Sequence, residues 1–203
     1  MKRAPKRTIA VAAGLVVIAV AAVLLFTPMI GRARLGPMRG MPMGPMSFGM
    51  MRQSHVMADV ESEYQYMVRM VPHHQEAVEN ARLLLERTRR SEMQAFAERI
   101  IETQTREIEQ MQTWLDEWYP ERRSTYDYTP MMGDYSGMSG DELDLAFLQD
   151  MIPHHMAAVM MSQRLLSRVT VEHRQLARLA DTIRDTQSRE IRRMSLWLDR
   201  WFG

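Results

Sequence analysis

The chain contains one segment twice, and no other feature restricts its fold as tightly. Met70-Val71-Pro72-His73-His74 recurs 81 positions later as Met151-Ile152-Pro153-His154-His155. Thr103-Gln104-x-Arg106-Glu107-Ile108-x-x-Met111-x-x-Trp114-Leu115-Asp116-x-Trp118 recurs 83 positions later, from Thr186 to Trp201, so the second copy carries two extra residues between its halves. Each copy is one supersecondary unit, and two such units together close a core that neither buries alone.

Within each copy the apolar residues keep a helical period. Ala97, Ile101, Gln104, Ile108, Met111, Leu115 and Trp118 advance by alternating steps of four and three, and Ala180, Gln187, Ile191, Met194, Leu198 and Trp201 repeat the pattern. Such steps place one stripe on one face of a helix. Met67, Met70, His74, Val78, Ala81 and Leu85 predict a preceding helix, copied as Leu148, Met151, His155, Val159, Ser162 and Leu166. Ser91-x-x-Gln94 and Ser139-x-x-Glu142 have capping-box spacing and predict helix starts. Strand signals are lacking. The fold class is therefore all-α: a four-helix bundle from two tandem helical hairpins, repeat one over 58–120 and repeat two over 139–203, related by a pseudo-twofold axis.

Ahead of the repeats, Lys2, Arg3, Lys6 and Arg7 precede an uncharged stretch from Thr8 to Gly31. About 20 apolar residues span a hydrocarbon core of about 30 Å. The positive flank stays in the cytoplasm, so residues after Gly31 are expected outside it, on the periplasmic or extracellular face. Residues 1–31 read as an N-terminal transmembrane helix, with a cleaved signal peptide as the alternative because of small-residue triplets such as Ala19-Val20-Ala21. Residues 32–57 form a Met/Gly/Pro-rich linker, and 58–203 the two-repeat bundle.

Composition then narrows the chemistry. The 203 residues hold 21 methionines and no cysteine, with a net charge of +1. Lack of cysteine excludes disulfides, thiolate zinc sites and cysteine nucleophiles, and the balanced charge gives no basic face for nucleic acid. Methionine commonly fills helical cores, yet Met38, Met41, Met43, Met46, Met50 and Met51 stand among glycines and prolines, as do Met131, Met132 and Met138 in a second linker. Thioethers select soft cations such as copper(I) or silver(I) over zinc, calcium or magnesium.

The repeated Met-x-x-His-His unit brings those thioethers to imidazole. Residues three and four apart are helical neighbours, so Met70 lies beside His73 and His74, and Met151 beside His154 and His155. Proline before each histidine pair removes a backbone donor and predicts a kink that frees the carbonyls of Val68 and Gln149. Consecutive histidines point about 100° apart, so the members of a pair are not equivalent. Met156 and Met160, which replace Gln75 and Glu79 of the first copy, extend the candidate ligand set along a solvated face. The expected ligands are thus Met70, His73, His74, Met151, His154, His155, Met156 and Met160. Gln104, Glu107, Gln187 and Glu190 either orient the histidines or form a plain hydrogen-bond network within the bundle.

The doubled motif, with Tyr66 and Phe147 four residues before its methionines, resembles the bacterial family called domain of unknown function 305. So does Gln-x-x-Glu-Ile-x-x-Met-x-x-Trp-Leu, and the resemblance runs from Ala58 to the C-terminus. It implies a ferritin-like four-helix bundle, export and, in some members, copper binding linked to copper tolerance. The acidic residue often found before the family's methionine is kept as Asp150 but replaced by Arg69. A ferritin-like fold suggests di-iron oxidase chemistry, but Glu-x-x-His spacing occurs at none of the six histidines, and iron prefers carboxylates. No hydroxyl nucleophile has a paired base. The expectation is a non-enzymatic, extracytoplasmic soft-metal binder for copper buffering or tolerance. The alternative is a metal-free, membrane-anchored interaction module, a homo-oligomer packed through Trp114, Trp118, Trp197 and Trp201. In the first reading these tryptophans close the open end of the bundle.

Overall fold

The computed structural model describes residues 60–203. The membrane anchor and the methionine linker expected over 1–31 and 32–57 lie outside the described residues. Within them, the chain forms four helices and no strand: α1 (Glu63–Arg87), α2 (Ser91–Trp118), α3 (Gly140–Arg168) and α4 (Arg174–Phe202). None of these helices is long and apolar enough to cross a membrane.

Helix starts differ in kind. At α1, Ser62 is extended and its Oγ accepts from the Gln65 backbone N–H, while Gln65 Oε1 accepts from Glu61 N. This near-capping box went unread in the sequence. The two predicted boxes form differently. Arg90, not Ser91, caps α2, because Ser91 is already helical and its hydroxyl turns to Glu92. Ser139 precedes α3 without a side-chain cap bond. Gly140 there takes φ +56°, a left-handed conformation that glycine adopts without penalty and that carries Ser139 out of line with the N–H groups ahead.

Both helices run on through their prolines, Pro72 and Pro153, without ending. α1 packs along α2, α3 along α4, and the two hairpins meet through α1 and α3. The core has two parts. One gathers Tyr66, Met67, Met70, Met111, Met161 and Leu165; the other gathers Leu84, Phe96, Leu143, Phe147, Met151 and Met194. Full burial of each such side chain contributes about 1.5–3 kcal/mol. The predicted stripes drift by one residue at their ends: Leu84 and Leu165 are fully buried where Leu85 and Leu166 were expected, and Val159 is half-buried.

The tryptophans divide between the two ends, because α2 and α4 run in opposite directions. Trp118 stacks on His173, the N-cap of α4, at 3.7 Å between ring centroids, and His173 Nδ1 lies 2.7 Å from Glu63 Oε2. At the symmetry-related end, Trp201 carries the Arg90 guanidinium at 4.7 Å, and Arg90 Nε lies 3.2 Å from Asp144. Each end therefore joins a carboxylate, a nitrogen-bearing side chain and a tryptophan from three helices.

Candidate metal centre

The two core halves are separated by a polar layer. His73, His74, His154 and His155 are each 0% exposed, and Gln104 and Gln187 are 3% exposed. The inequivalence of consecutive histidines is realised directly. His73 faces across the α1–α3 contact, stacked on His154 with centroids 3.7 Å apart. His74 turns to α2, where its Nε2 donates to Glu107 at 2.9 Å, and His155 turns to α4, where its Nε2 donates to Glu190 at 2.8 Å. The carboxylates thus hold the histidines, an arrangement that fits an orienting role and a plain hydrogen-bond network within the bundle alike. The oxygens Oε1 of Gln104 and Gln187 bond no protein group.

Hydrogen bonds from Nε2 fix the tautomer of three of the rings, His73, His74 and His155. A neutral imidazole that donates from Nε2 keeps its lone pair on Nδ1. His73 Nε2 donates to the His154 carbonyl at 3.0 Å, and His154 Nε2 lies 3.2 Å from Glu76 Oε2, within ion-pair distance but off the hydrogen-bond direction. In all four rings Nδ1 is buried and has no protein partner. Burial, and then the neighbouring imidazoles, hold the His73 pKa well below its ordinary value. Burial also lowers that of His154, against the pull of Glu76. Both rings are neutral at neutral pH, the form that ligates metal.

Glu76 breaks the twofold symmetry, since Ala157 stands at the corresponding place in the second copy. Its Oε1 accepts from the backbone N–H groups of Met131 and Met132, both at 2.8 Å, and its Oε2 accepts from the Tyr128 hydroxyl. Burial would raise its pKa, but the contact with His154 and the bonds from Tyr128 and Met132 outweigh that and hold it low. Tyr128 is pushed up, first by burial and then by this carboxylate. Asp150 fastens the next stretch, accepting from Gly133 N and the Tyr135 hydroxyl, both at 2.9 Å. A Cβ on residue 133 would stand 3.1 Å from that same oxygen, so glycine permits the approach. At the equivalent place in the first copy, Arg69 lies over Tyr126. The predicted second linker is therefore a strap pinned across α1 and α3, bringing Met131 to one core half and Met132 to the other.

Of the eight residues expected as ligands, six share the buried layer and the turns beside it: Met70, His73, His74, Met151, His154 and His155. Met156 is 49% exposed, Met160 is half-buried and Met161 is core, so the first two form a separate surface pair. Among the described residues, no three histidine or acidic side chains converge into a ready metal cage. Glu76 and Tyr128 were missed in the sequence. The one available signal was Glu76 against Ala157 between otherwise matched copies. Opposite the strap, α2 and α4 leave a crevice lined by Ile100, Thr103, Gln104 and Glu107 and by their counterparts Ile183, Thr186, Gln187 and Glu190.

The fold and the layer define a four-helix bundle, a class in which sites are built from side chains on facing helices, here with paired His–carboxylate bonds beside buried methionines. The family model for the domain of unknown function DUF305 matches residues 63–198, and the chain belongs to that family. It is similar to CopM in a silver-bound structure, with 32% identity, 71% of this chain and 100% of CopM covered, and a TM-score of 0.62. The copper(I)-bound form of CopM gives 33% identity, coverage of 69% and 97%, and a TM-score of 0.61. A DUF305 fragment from Deinococcus radiodurans gives 29% identity, coverage of 68% and 95%, and a TM-score of 0.59. No curated protein matches significantly.

Proposed function

We propose that this protein binds copper(I), and the related soft ion silver(I), at the polar layer, and that it buffers or sequesters the metal and does not transform a substrate. The observation that carries this reading is the set of four bare Nδ1 atoms. A buried polar atom without a partner costs about 1–3 kcal/mol, and apolar side chains at these positions would avoid it. Four such atoms, three on rings tethered through Nε2 and the fourth on His154, whose Nε2 faces the Glu76 carboxylate at 3.2 Å, match the way carboxylates and carbonyls orient metal-bound histidines. Helical side chains lean toward the N-terminus, the direction in which Met70 and Met151 lie one turn away. With no cage of three histidine or acidic groups, thioether sulfur completes the coordination, which favours a soft ion. Similarity to a protein solved with copper(I) and with silver supports the reading.

The setting proposed is extracytoplasmic, with residues 8–31 as membrane anchor and the methionines of 32–57 as additional capture groups. Met156 and Met160 are proposed as a weaker surface pair. The test sets ligand against core. His73, His74, His154 and His155 are changed to glutamine, singly and together, and copper(I) affinity and chemical stability are measured in parallel. At least one change in each repeat is expected to weaken copper(I) binding about tenfold or more, which is about 1.4 kcal/mol. Unchanged affinity in the fourfold variant would remove the histidines from the site.

A further inference from the structure

Four histidines with no exposed atom need a path to solvent, and the two faces of the layer differ in what they offer. On the strap face every oxygen of Glu76 is engaged by Tyr128, Met131 or Met132, and Asp150 holds the chain that follows. That face carries a cleft of about 320 Å³ lined by Glu76, Glu79, Asn80 and Tyr128. The Glu76 carboxylate in it has both oxygens already bonded and offers an ion no free acceptor, whereas the opposite crevice, of only about 10 Å³, does. On the other face α2 and α4 part, and the crevice between them lies on the pseudo-twofold axis, since Thr103, Gln104 and Glu107 are matched one for one by Thr186, Gln187 and Glu190. Gln104 and Gln187 are 97% buried, yet their Oε1 atoms line the crevice with no protein donor. A carbonyl oxygen cannot donate, so only a hydrogen-bond donor or a cation satisfies it.

We infer that the α2–α4 crevice is the port through which an ion reaches the histidines, with the Gln104 and Gln187 carbonyl oxygens as a transient cation site at its floor. This rests on the metal-binding reading above. The ligand chemistry suits a waystation. Amide oxygen is a neutral, hard donor that holds copper(I) or silver(I) weakly compared with imidazole or thioether. An ion there exchanges water for protein oxygen and then leaves for softer ligands. Glu107 and Glu190 line the same crevice and hold His74 and His155, so the next donor lies one side chain further in. The ion carries its charge between carboxylates, which offsets part of its lost hydration.

The test is kinetic and uses the full chain, with copper(I) supplied from a chromophoric chelator whose absorbance reports transfer. Thr103→Phe with Thr186→Phe plugs the rim without touching a proposed ligand. Uptake and release are both expected to slow about tenfold or more, while the end-point affinity stays constant, because a blocked path raises the barrier and leaves the end states alone. Gln104→Leu with Gln187→Leu should slow uptake with the fold retained, and it decides the matter alone if the plugged variant does not fold. Glu79→Trp, beside the strap, serves as the control on the opposite face and should leave both rates unchanged. Loading of the plugged variant at the unsubstituted rate would overturn the port, as would slowing by Glu79→Trp alone. If the unsubstituted chain takes up no copper(I), the metal-binding reading itself fails, and that outcome is distinct from a chain that binds through another route.

Discussion

Glu76 shows how much one side chain changes in a repeated structure. Its counterpart is Ala157, and through that single difference His154 faces a carboxylate while His73 reaches only a carbonyl. The layer is symmetric in its outer pairs, His74–Glu107 and His155–Glu190, and asymmetric at its centre. The central rings also govern acid stability. The folded pKa values of His73 and His154 are depressed, chiefly by burial. The unfolded chain therefore takes up protons below about pH 6.5 that the folded rings refuse. By linkage, stability is full above that pH and falls as pH drops, by up to about 1.4 kcal/mol per pH unit for each ring. Glu63 and Glu76, whose pKa values are also lowered, add their loss only near and below the ordinary carboxylate range. Urea denaturation at pH 7, 6 and 5 should show this decline in the metal-free protein. Combining His73→Gln with His154→Gln should flatten it. An equal slope in that variant would assign the decline to other groups.

At the scale of the helix, the repeated proline is the costliest local choice in the sequence. Pro72 and Pro153 lie inside α1 and α3, one residue before the histidines, and neither ends its helix. A proline in a helix interior costs about 3 kcal/mol relative to alanine, because it lacks the N–H and crowds the preceding turn. Placing that cost at the same point in both copies is understandable if it shapes the polar layer. Pro72→Ala and Pro153→Ala are therefore each expected to raise the urea midpoint, by up to about 3 kcal/mol in stability, while weakening copper(I) binding. Parallel measurement of both properties checks this. A variant more stable and equally tight would make the prolines incidental to the site. The sequence disclosed that these residues form helices but misjudged how two of them begin. Capping depends on the φ of single residues such as Gly140 and on competing partners such as Glu92, which spacing rules do not see.

For the whole molecule, the described bundle and the preceding segment pose separate questions. By charge bias, the basic residues before the apolar run are proposed to keep that end in the cytoplasm. A reporter enzyme that works only outside the cytoplasm, fused after Gly203, is expected to be active. A reporter that works only inside should be silent at the same position. The reverse pattern would place the metal site in the cytoplasm and end the buffering role proposed for it. The bundle is held at both ends by matched three-residue groups, Glu63–His173–Trp118 and Asp144–Arg90–Trp201. These tie the hairpins beyond the α1–α3 contact, so the layer between them is fixed from above and below.

Within the described residues, the sequence by itself determined the number of helices, their pairing into two like hairpins and the identity of the buried histidines. Periodicity and repetition record which face each helix must hide, and burial of apolar area is a local, additive demand that a pattern can express. It also offered Gln104, Glu107, Gln187 and Glu190 as partners of the histidines, because a polar residue on an apolar stripe must find another, and of these only the two glutamates bond them. Only the tertiary structure decided which histidine meets which group, that Glu76 pins the strap to α1, and that Met156 lies apart while Met70 and Met151 are buried. Those outcomes depend on how helices distant in sequence rotate and cross, and on a segment without any period of its own. A four-three pattern fixes what is buried to within a residue. What each buried atom touches is fixed by packing between elements, and that information is spread over the whole chain.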